Sequence, residues 1–154
     1  MKLKFITVCV MALAMTSCGE EKAKKETEAP KQEESKVAVE NVDPMSNKGI
    51  GPISSVTLGE IDPAMASEGE VVFKAKCTAC HKITKKFVGP ALKGVTQRRS
   101  SEWIMNMAMN PEEMIQKDPI AQKLLIEYNG APMANQNITE AEARALLEYF
   151  RTKN

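Results

Sequence analysis

The residues best suited to chemistry lie close together in the stretch KCTACHKITKKFVGPAL, residues 76–92. Cys77 and Cys80 are separated by two residues, and His81, the only histidine of the chain, follows directly. A Cys-x-x-Cys-His run is the attachment signature of a c-type haem, whose two vinyl groups form thioether bonds with the two thiols. The histidine is then placed to bind the iron from the same side. The motif therefore predicts one covalently bound haem c.

Two other uses of these residues are weaker. Zinc usually takes four nitrogen or sulfur ligands, and the sequence has no second cluster of cysteine and histidine. A dithiol redox switch would not require His81 and is typical of a βαβ context. A disulfide between Cys77 and Cys80 would close a very small loop and add little stability. Haem attachment is the preferred interpretation.

The motif alone does not identify the second axial ligand of the iron. Because the chain has no second histidine, this ligand must be a methionine, a lysine or asparagine, a water molecule, or nothing. The chain has 10 methionines. Most lie in the N-terminal region or in predicted helices, whereas Met133 lies in a predicted loop, NGAPMANQN, just before the last helix.

The first residues of the chain have the pattern of an export signal. Lys2 and Lys4 precede an apolar run that is too short to span a bilayer. Small residues and Cys18 follow, and this stretch resembles the signal of a bacterial lipoprotein. The resemblance implies that residues 1–17 are a signal peptide and that Cys18 carries the lipid. An ordinary cleaved signal with an incidental cysteine is the alternative.

Two segments separate the predicted anchor from the haem motif. Residues 18–43 mix five lysines with eight acidic residues and contain no aromatic residue, a composition that favours a disordered, flexible linker. Residues 44–66 are richer in glycine, proline and β-branched residues, and we expect them to form an extended arm. The sequence does not indicate which surface the arm contacts.

Residues 67–154 are predicted to form a small all-α domain of four or five helices. The SEGE stretch at 67–70 has the pattern of a capping box, which predicts a first helix over residues 68–79. Start signals predict further helices over residues 101–109, from 111, over 119–128 and over 140–151. The whole chain has one Trp, two Tyr and four Phe, so side chains alone would give a thin core. A large buried cofactor would supply the missing apolar surface.

The chain from Gly69 to its end resembles the class I c-type cytochromes, which are small single-haem electron carriers. The resemblance rests on the spacing from Gly69 through Phe73 to the haem motif, on the GPAL loop at 89–92, and on Leu146 and Tyr149. It implies the cytochrome c fold, built around one covalently bound haem. In that fold the last helix crosses the first helix where Gly69 permits close approach.

The resemblance also implies roles for individual residues around the haem. His81 and Met133 are expected to be the axial ligands of the iron. The backbone carbonyl of Pro90 is expected to accept a hydrogen bond from the His81 ring and so fix its orientation. This sequence departs from many relatives in one respect, because Pro132 precedes the methionine rather than following it.

Trp103 is the remaining residue that the resemblance places near the haem. Its ring is expected to pack there and to hydrogen-bond a propionate, with Arg98 or Arg99 neutralising the charge. The alternative is a helix residue packed on other apolar side chains.

Clustered methionines in MNMAMNPEEM, residues 105–114, could in principle hold Cu(I). Met105 and Met109 would share one helical face, and Met107 would point away from it. Adaptable core packing explains this cluster better.

Charge is unevenly distributed in a chain whose formal net charge is +1. Residues 69–99 contain eight basic residues and one acidic residue, whereas residues 100–154 contain eight acidic and five basic residues. We expect the basic residues to form a docking surface for an acidic redox partner, and a merely solvated face is the alternative. No interleaving of aromatic residues indicates nucleic-acid binding.

Together these features predict an electron-transfer protein rather than an enzyme, tethered by lipid to a membrane on the periplasmic side of the cell envelope. It would pass single electrons from a quinol-oxidising complex to a terminal reductase or oxidase, and the resemblance makes nitrous-oxide reductase one candidate. A haem-based gas sensor or weak peroxidase with a labile sixth ligand is an alternative. A metal-delivery protein that uses the clustered methionines is another.

Overall fold

The computed structural model describes residues 42–154, which fold into five α-helices and one short 3-10 helix without any β-strand. The predicted all-α class is confirmed. The predicted signal peptide (1–17), the lipid-bearing Cys18 and nearly all of the linker (18–43) lie outside the described residues. The helices are α1 (Pro63–Lys76), α2 (Ser101–Met109), α3 (Pro111–Lys117), α4 (Pro119–Glu127) and α5 (Glu140–Arg151), and the 3-10 helix is Val95–Gln97.

Among residues 42–154, no helix has both the length and the apolar character needed to cross a membrane.

Helix α1 begins earlier than the sequence predicted. The side chain of Asp62 accepts hydrogen bonds from the backbone N–H groups of Ala64 and Met65, at 2.9 and 3.1 Å, and Pro63 occupies the first helical position. The capping box predicted at 67–70 is wrong, because Ser67 lies inside the helix. The helix also ends at Lys76 rather than at residue 79. Residues 63–66, which were assigned to the arm, are therefore helical.

The other helices begin where their caps predicted. The hydroxyl of Ser100 accepts from the backbone N–H of Trp103, and prolines open α3 and α4. Thr139 and Glu142 form the predicted reciprocal capping box at the start of α5. Beyond the end of α4, Gly130 has a φ of 71°, a left-handed conformation that glycine adopts without strain.

Helices α1 and α5 cross at close range. A Cβ atom on Gly69 would lie 2.0 Å from the backbone oxygen of Ala145, so only glycine lets the two backbones approach this far. One turn after Gly69 along α1, the centroid of the Phe73 ring lies 5.5 Å from that of Tyr149 and 6.0 Å from that of Phe150. The predicted crossing of the last helix over the first is confirmed.

Residues 42–62 have no regular secondary structure and lie along α2 and α3. From here on, "the arm" means this observed segment rather than the predicted range 44–66. The side chain of Asn106, which is 1% exposed, accepts from the backbone N–H of Ile53 and donates to the carbonyls of Lys48 and Ile53. At the far end of the arm, the guanidinium of Arg151 donates to the carbonyl of Gly59. Side chains of the helical domain thus satisfy the backbone of an otherwise irregular segment.

Candidate functional site

The two cysteines and the histidine lie in one turn of chain at the end of α1. Cys77 caps the helix, its N–H donating to the carbonyl of Phe73. The N–H groups of Cys80 and His81 both donate to the carbonyl of Cys77, at 3.1 and 2.9 Å. These bonds bring the three side chains together, as the predicted motif requires.

Both thiols are free in the described structure, Cys77 half-buried and Cys80 exposed. Burial raises the pKa of the Cys77 thiol to about 11, an effect that the neighbouring charge of Lys76 only partly opposes. Redox-active and metal-binding cysteines have lowered pKa values, because the thiolate is the reactive form. Burial of Cys77 thus disfavours the reactive thiolate that a dithiol switch would need. Among residues 42–154, no three His, Cys, Asp or Glu side chains are grouped so that they could hold a metal ion such as zinc.

The loop that follows the motif holds the imidazole of His81 in place. His81 Nδ1 lies 3.1 Å from the backbone oxygen of Pro90, the contact predicted from the sequence. Gly89 donates its N–H to the carbonyl of Cys80, and a Cβ atom on Gly89 would lie only 2.4 Å from Cε1 of the imidazole. When Nδ1 is the donor to Pro90, Nε2 has a free lone pair for a metal.

All six residues predicted to bind the cofactor line a single cavity of about 220 Å³. They are Cys77, Cys80, His81, Pro90, Trp103 and Met133. The rest of the wall is mainly apolar and comes from α2, α3, α4 and α5, with Ile104, Ile115, Leu124, Leu146 and Phe150 among the lining side chains. Two thiols, one imidazole and a thioether around an apolar space fit a haem, which needs two attachment points, iron ligands and a dry wall for its flat ring.

Two thioethers reach this cavity. Met133 comes from the segment between α4 and α5, which has no regular structure at that point, and is half-buried. Met107 comes from α2 and also lines the cavity, a position that was not predicted from the sequence. The sequence did indicate that Met107 faces away from Met105 on the helix. Because Met105 is 2% exposed in the core, Met107 points to a different side of α2, and that side borders the cavity. The proposed methionine cluster is therefore divided between core and cavity.

Trp103 lies in the cavity wall. Its indole N–H, the only donor of the ring, donates to Oδ1 of Asp118 at 3.0 Å. The hydrogen bond to a propionate stays a prediction, and it would require this donor to be shared or redirected. From the sequence alone, Asp118 has no role beyond a helix start signal, since it directly precedes Pro119. The arginines also line the cavity: Arg99 lies 5.3 Å from the Trp103 ring, and Arg98 donates to the carbonyls of Ala91 and Lys93.

The basic residues around the motif differ in whether a carboxylate compensates them. Lys74 pairs with Glu70 at 2.9 Å, and Lys76 pairs with Glu142 at 2.7 Å. Within residues 42–154, the other six form no ion pair. They are Lys82, Lys85, Lys86, Lys93, Arg98 and Arg99.

Exposed apolar side chains accompany the basic residues that have no ion pair within the described part of the chain. Phe87 and Val88, which are 51% and 46% exposed, lie in the loop between His81 and Pro90. The ammonium group of Lys82 lies 5.0 Å from the centroid of the Phe87 ring, and that of Lys86 lies 4.2 Å from the Tyr128 ring. We call Lys82, Lys85, Lys86, Phe87 and Val88 the loop surface. It adjoins Cys80 at the edge of the cavity.

Comparison with known proteins places this site in a family context. The family model described as Cytochrome c matches residues 66–153. Cytochrome c-551 from Stutzerimonas stutzeri is 35% identical over 94 residues, which cover 58% of this chain and 80% of that protein. Cytochrome c-551 from Azotobacter vinelandii is 34% identical over 89 residues, or 54% of this chain and 95% of that one. The solved structure of cytochrome c from Rhodothermus marinus is 48% identical, with a TM-score of 0.64, and the match covers 66% of this chain and 88% of that one.

Proposed function

Because the chain belongs to the cytochrome c family of electron carriers, which bind haem c covalently, we propose that it carries single electrons on a haem in the cavity described above. The observation that carries this proposal is the meeting of Cys77, Cys80, His81 and Met133 around one apolar space. The thiols of Cys77 and Cys80 would form the two covalent bonds, and Nε2 of His81 would bind the iron. When bound, the haem supplies a one-electron redox centre.

Met133 is proposed as the second axial ligand. Its thioether favours the reduced iron and raises the reduction potential relative to a second nitrogen ligand. With both axial positions filled by side chains, oxygen or a substrate would have no coordination site, and the cavity would serve transfer rather than catalysis. Pro90 would contribute by accepting from Nδ1–H of His81, which would leave Nε2 free to bind the metal.

The experiment that tests the proposal exposes the reduced protein to carbon monoxide at neutral pH and records the visible spectrum. We expect no rapid change in wild-type protein, because both axial positions are filled. The Met133→Ala variant should bind carbon monoxide rapidly and serves as the positive control. Rapid binding by the wild type would instead support a gas sensor or weak peroxidase.

The proposed location is the periplasmic side of the cell envelope, with a lipid on Cys18 and residues 18–43 as a flexible linker. The order of basic residues, apolar run, small residues and cysteine supports it. Mass spectrometry of the mature protein should find an acylated N-terminal Cys18. An unmodified N-terminus would contradict the anchor and leave the proposal of electron transfer intact.

The proposed partners are redox proteins with acidic surfaces, namely a quinol-oxidising complex as donor and a terminal reductase or oxidase as acceptor, with nitrous-oxide reductase as one candidate. The loop surface supports this choice, because its lysines have no carboxylate partner within residues 42–154 and the same loop exposes the apolar side chains of Phe87 and Val88. Uncompensated positive charge steers an acidic partner and accelerates its association.

A further inference from the structure

Asp118 is a buried carboxylate that accepts three hydrogen bonds through its side chain and has no acceptor beside it within the described residues. Oδ1 accepts from the indole N–H of Trp103 at 3.0 Å and from the backbone N–H of Ala121 at 2.8 Å. Oδ2 accepts from the side-chain amide of Asn47 at 2.6 Å. The side chain also sits at the N-terminus of α4, where the helix dipole favours a negative charge. Donors alone suit the ionised form of the group, because a protonated carboxyl would need an acceptor.

Two of these donors connect Asp118 to the cavity. Trp103 and Ala121 both line it, so the carboxylate lies directly behind the cavity wall. No lysine, arginine or histidine in residues 42–154 forms an ion pair with Asp118. The cation that influences it at longer range is Arg99, which lies on the Trp103 ring. The negative charge of Asp118 is thus compensated mainly by dipoles.

The arm shields this charge from water. Asn47 contributes the amide that covers Oδ2, and its own carbonyl accepts from the hydroxyl of Ser100 at 2.6 Å. Pro44 adds a second link, because its carbonyl accepts from the N–H of Ser100. Asp118 is 1% exposed as a result. A charge in such a place acts over a longer distance than a solvated one, because neither water nor salt screens it fully.

We propose that Asp118 lowers the reduction potential of the haem and orients the Trp103 ring in the cavity wall. The oxidised haem carries one more positive charge than the reduced haem, so a fixed negative charge behind the wall stabilises the oxidised form. The arm takes part through Asn47, which places residues outside the helices in control of the potential. This inference rests on the proposed position of the haem in the cavity. Asp118 is a positioning residue, since it contacts Trp103 and not the cofactor.

The test is a redox titration of the haem-loaded Asp118→Asn variant against wild-type protein. The single oxygen of asparagine can still accept from Trp103 and Ala121, but the change removes the charge and also the acceptor of the Asn47 amide. We expect the reduction potential to become more positive by about 59 mV, which corresponds to about a tenfold change in the one-electron equilibrium constant. The matched control is Asp62→Asn, which changes the same residue type at another helix N-cap but in an exposed position. Its potential should equal that of the wild type.

A double variant, Asn47→Asp with Asp118→Asn, keeps the inference testable if the single change prevents folding. It restores an amide–carboxylate pair with the roles reversed, so the net charge is unchanged but lies on the arm, farther from Trp103. We expect a potential between those of the wild type and the single variant. A potential that stays at the wild-type value or falls, in whichever of the two variants folds, would overturn the role of Asp118. Wild-type protein without any bound haem would instead contradict the proposed function.

Discussion

Met133 and Met107 give the cavity two side chains of the same chemistry, and only one of them is proposed as an iron ligand. Met133 comes from a segment without regular secondary structure between α4 and α5, whereas Met107 lies on α2. The sequence distinguished them by their surroundings, because Met133 alone was predicted to lie in a loop before the last helix. It could not show that Met107 reaches the same cavity, since that depends on how α2 packs.

We expect Met133→Ala to remove the charge-transfer band that methionine-ligated iron gives in the oxidised protein, and to lower the reduction potential. Met107→Ala is the matched control and should keep the band, because it changes only the wall. Visible spectra of the two oxidised proteins decide the question. Loss of the band in Met107→Ala and its retention in Met133→Ala would reverse the assignment.

Gly89 provides a second prediction, at the proposed iron ligand His81. In Gly89→Ala the new Cβ would lie 2.4 Å from Cε1 and 2.9 Å from Nδ1 of His81, so the imidazole must move away from Pro90. We expect weaker axial binding, visible as a high-spin fraction in the spectrum of the oxidised protein. Gly59→Ala is the control, because nothing lies within 4 Å of the added atom. A fully low-spin Gly89→Ala protein would show that the loop can adjust without cost.

The helices illustrate which start signals the sequence carries clearly. An Asn-Pro or Asp-Pro pair opens α3 and α4, and the same signal opens α1 at Asp62 and Pro63. There it competed with the SEGE stretch four residues later, and both patterns are chemically sound caps. Local sequence does not rank two such signals. The earlier start prevails in the structure, and it lets α1 run for 14 residues beside α5.

Denaturation of two variants tests this correction to α1. Asp62→Ala should lower the free energy of unfolding by about 1 kcal/mol, because two backbone N–H groups lose their acceptor. Ser67→Ala should leave stability unchanged or raise it slightly, since alanine has the higher propensity inside a helix. A larger loss in Ser67→Ala than in Asp62→Ala would restore the predicted capping box.

The arm was the least predictable element. Its composition indicated an extended segment, but its contacts are hydrogen bonds to side chains such as Asn106 and Asp118, more than fifty residues away in sequence. Such bonds leave no periodic pattern, because each depends on one polar side chain meeting one backbone or amide group. For the same reason the partner of the Trp103 N–H could not be read from the sequence.

For the molecule as a whole, charge distribution should govern association with redox partners. The rate of oxidation by anionic ferricyanide should fall steeply as ionic strength rises, whereas the rate with a cationic cobalt complex should increase. Changing both Lys85 and Lys86 to alanine should flatten the salt dependence. Lys74→Ala is the control with a smaller effect, because Glu70 already compensates that charge. An equal, flat salt profile in all three proteins would remove the docking role of the loop surface.

We propose that the described domain is organised around a haem joined to the turn at the end of α1. The cavity lies where α2, α3, α4 and α5 would otherwise leave apolar surface uncovered. The measurement that tests this most directly is intact-mass spectrometry of protein made in a strain with c-type cytochrome maturation machinery, after acid–acetone extraction. We predict that the intact protein is heavier than the polypeptide by the mass of one haem. After proteolysis, this added mass should stay on the peptide that contains Cys77 and Cys80. Polypeptide mass alone, with haem absent or fully extracted, would contradict the account.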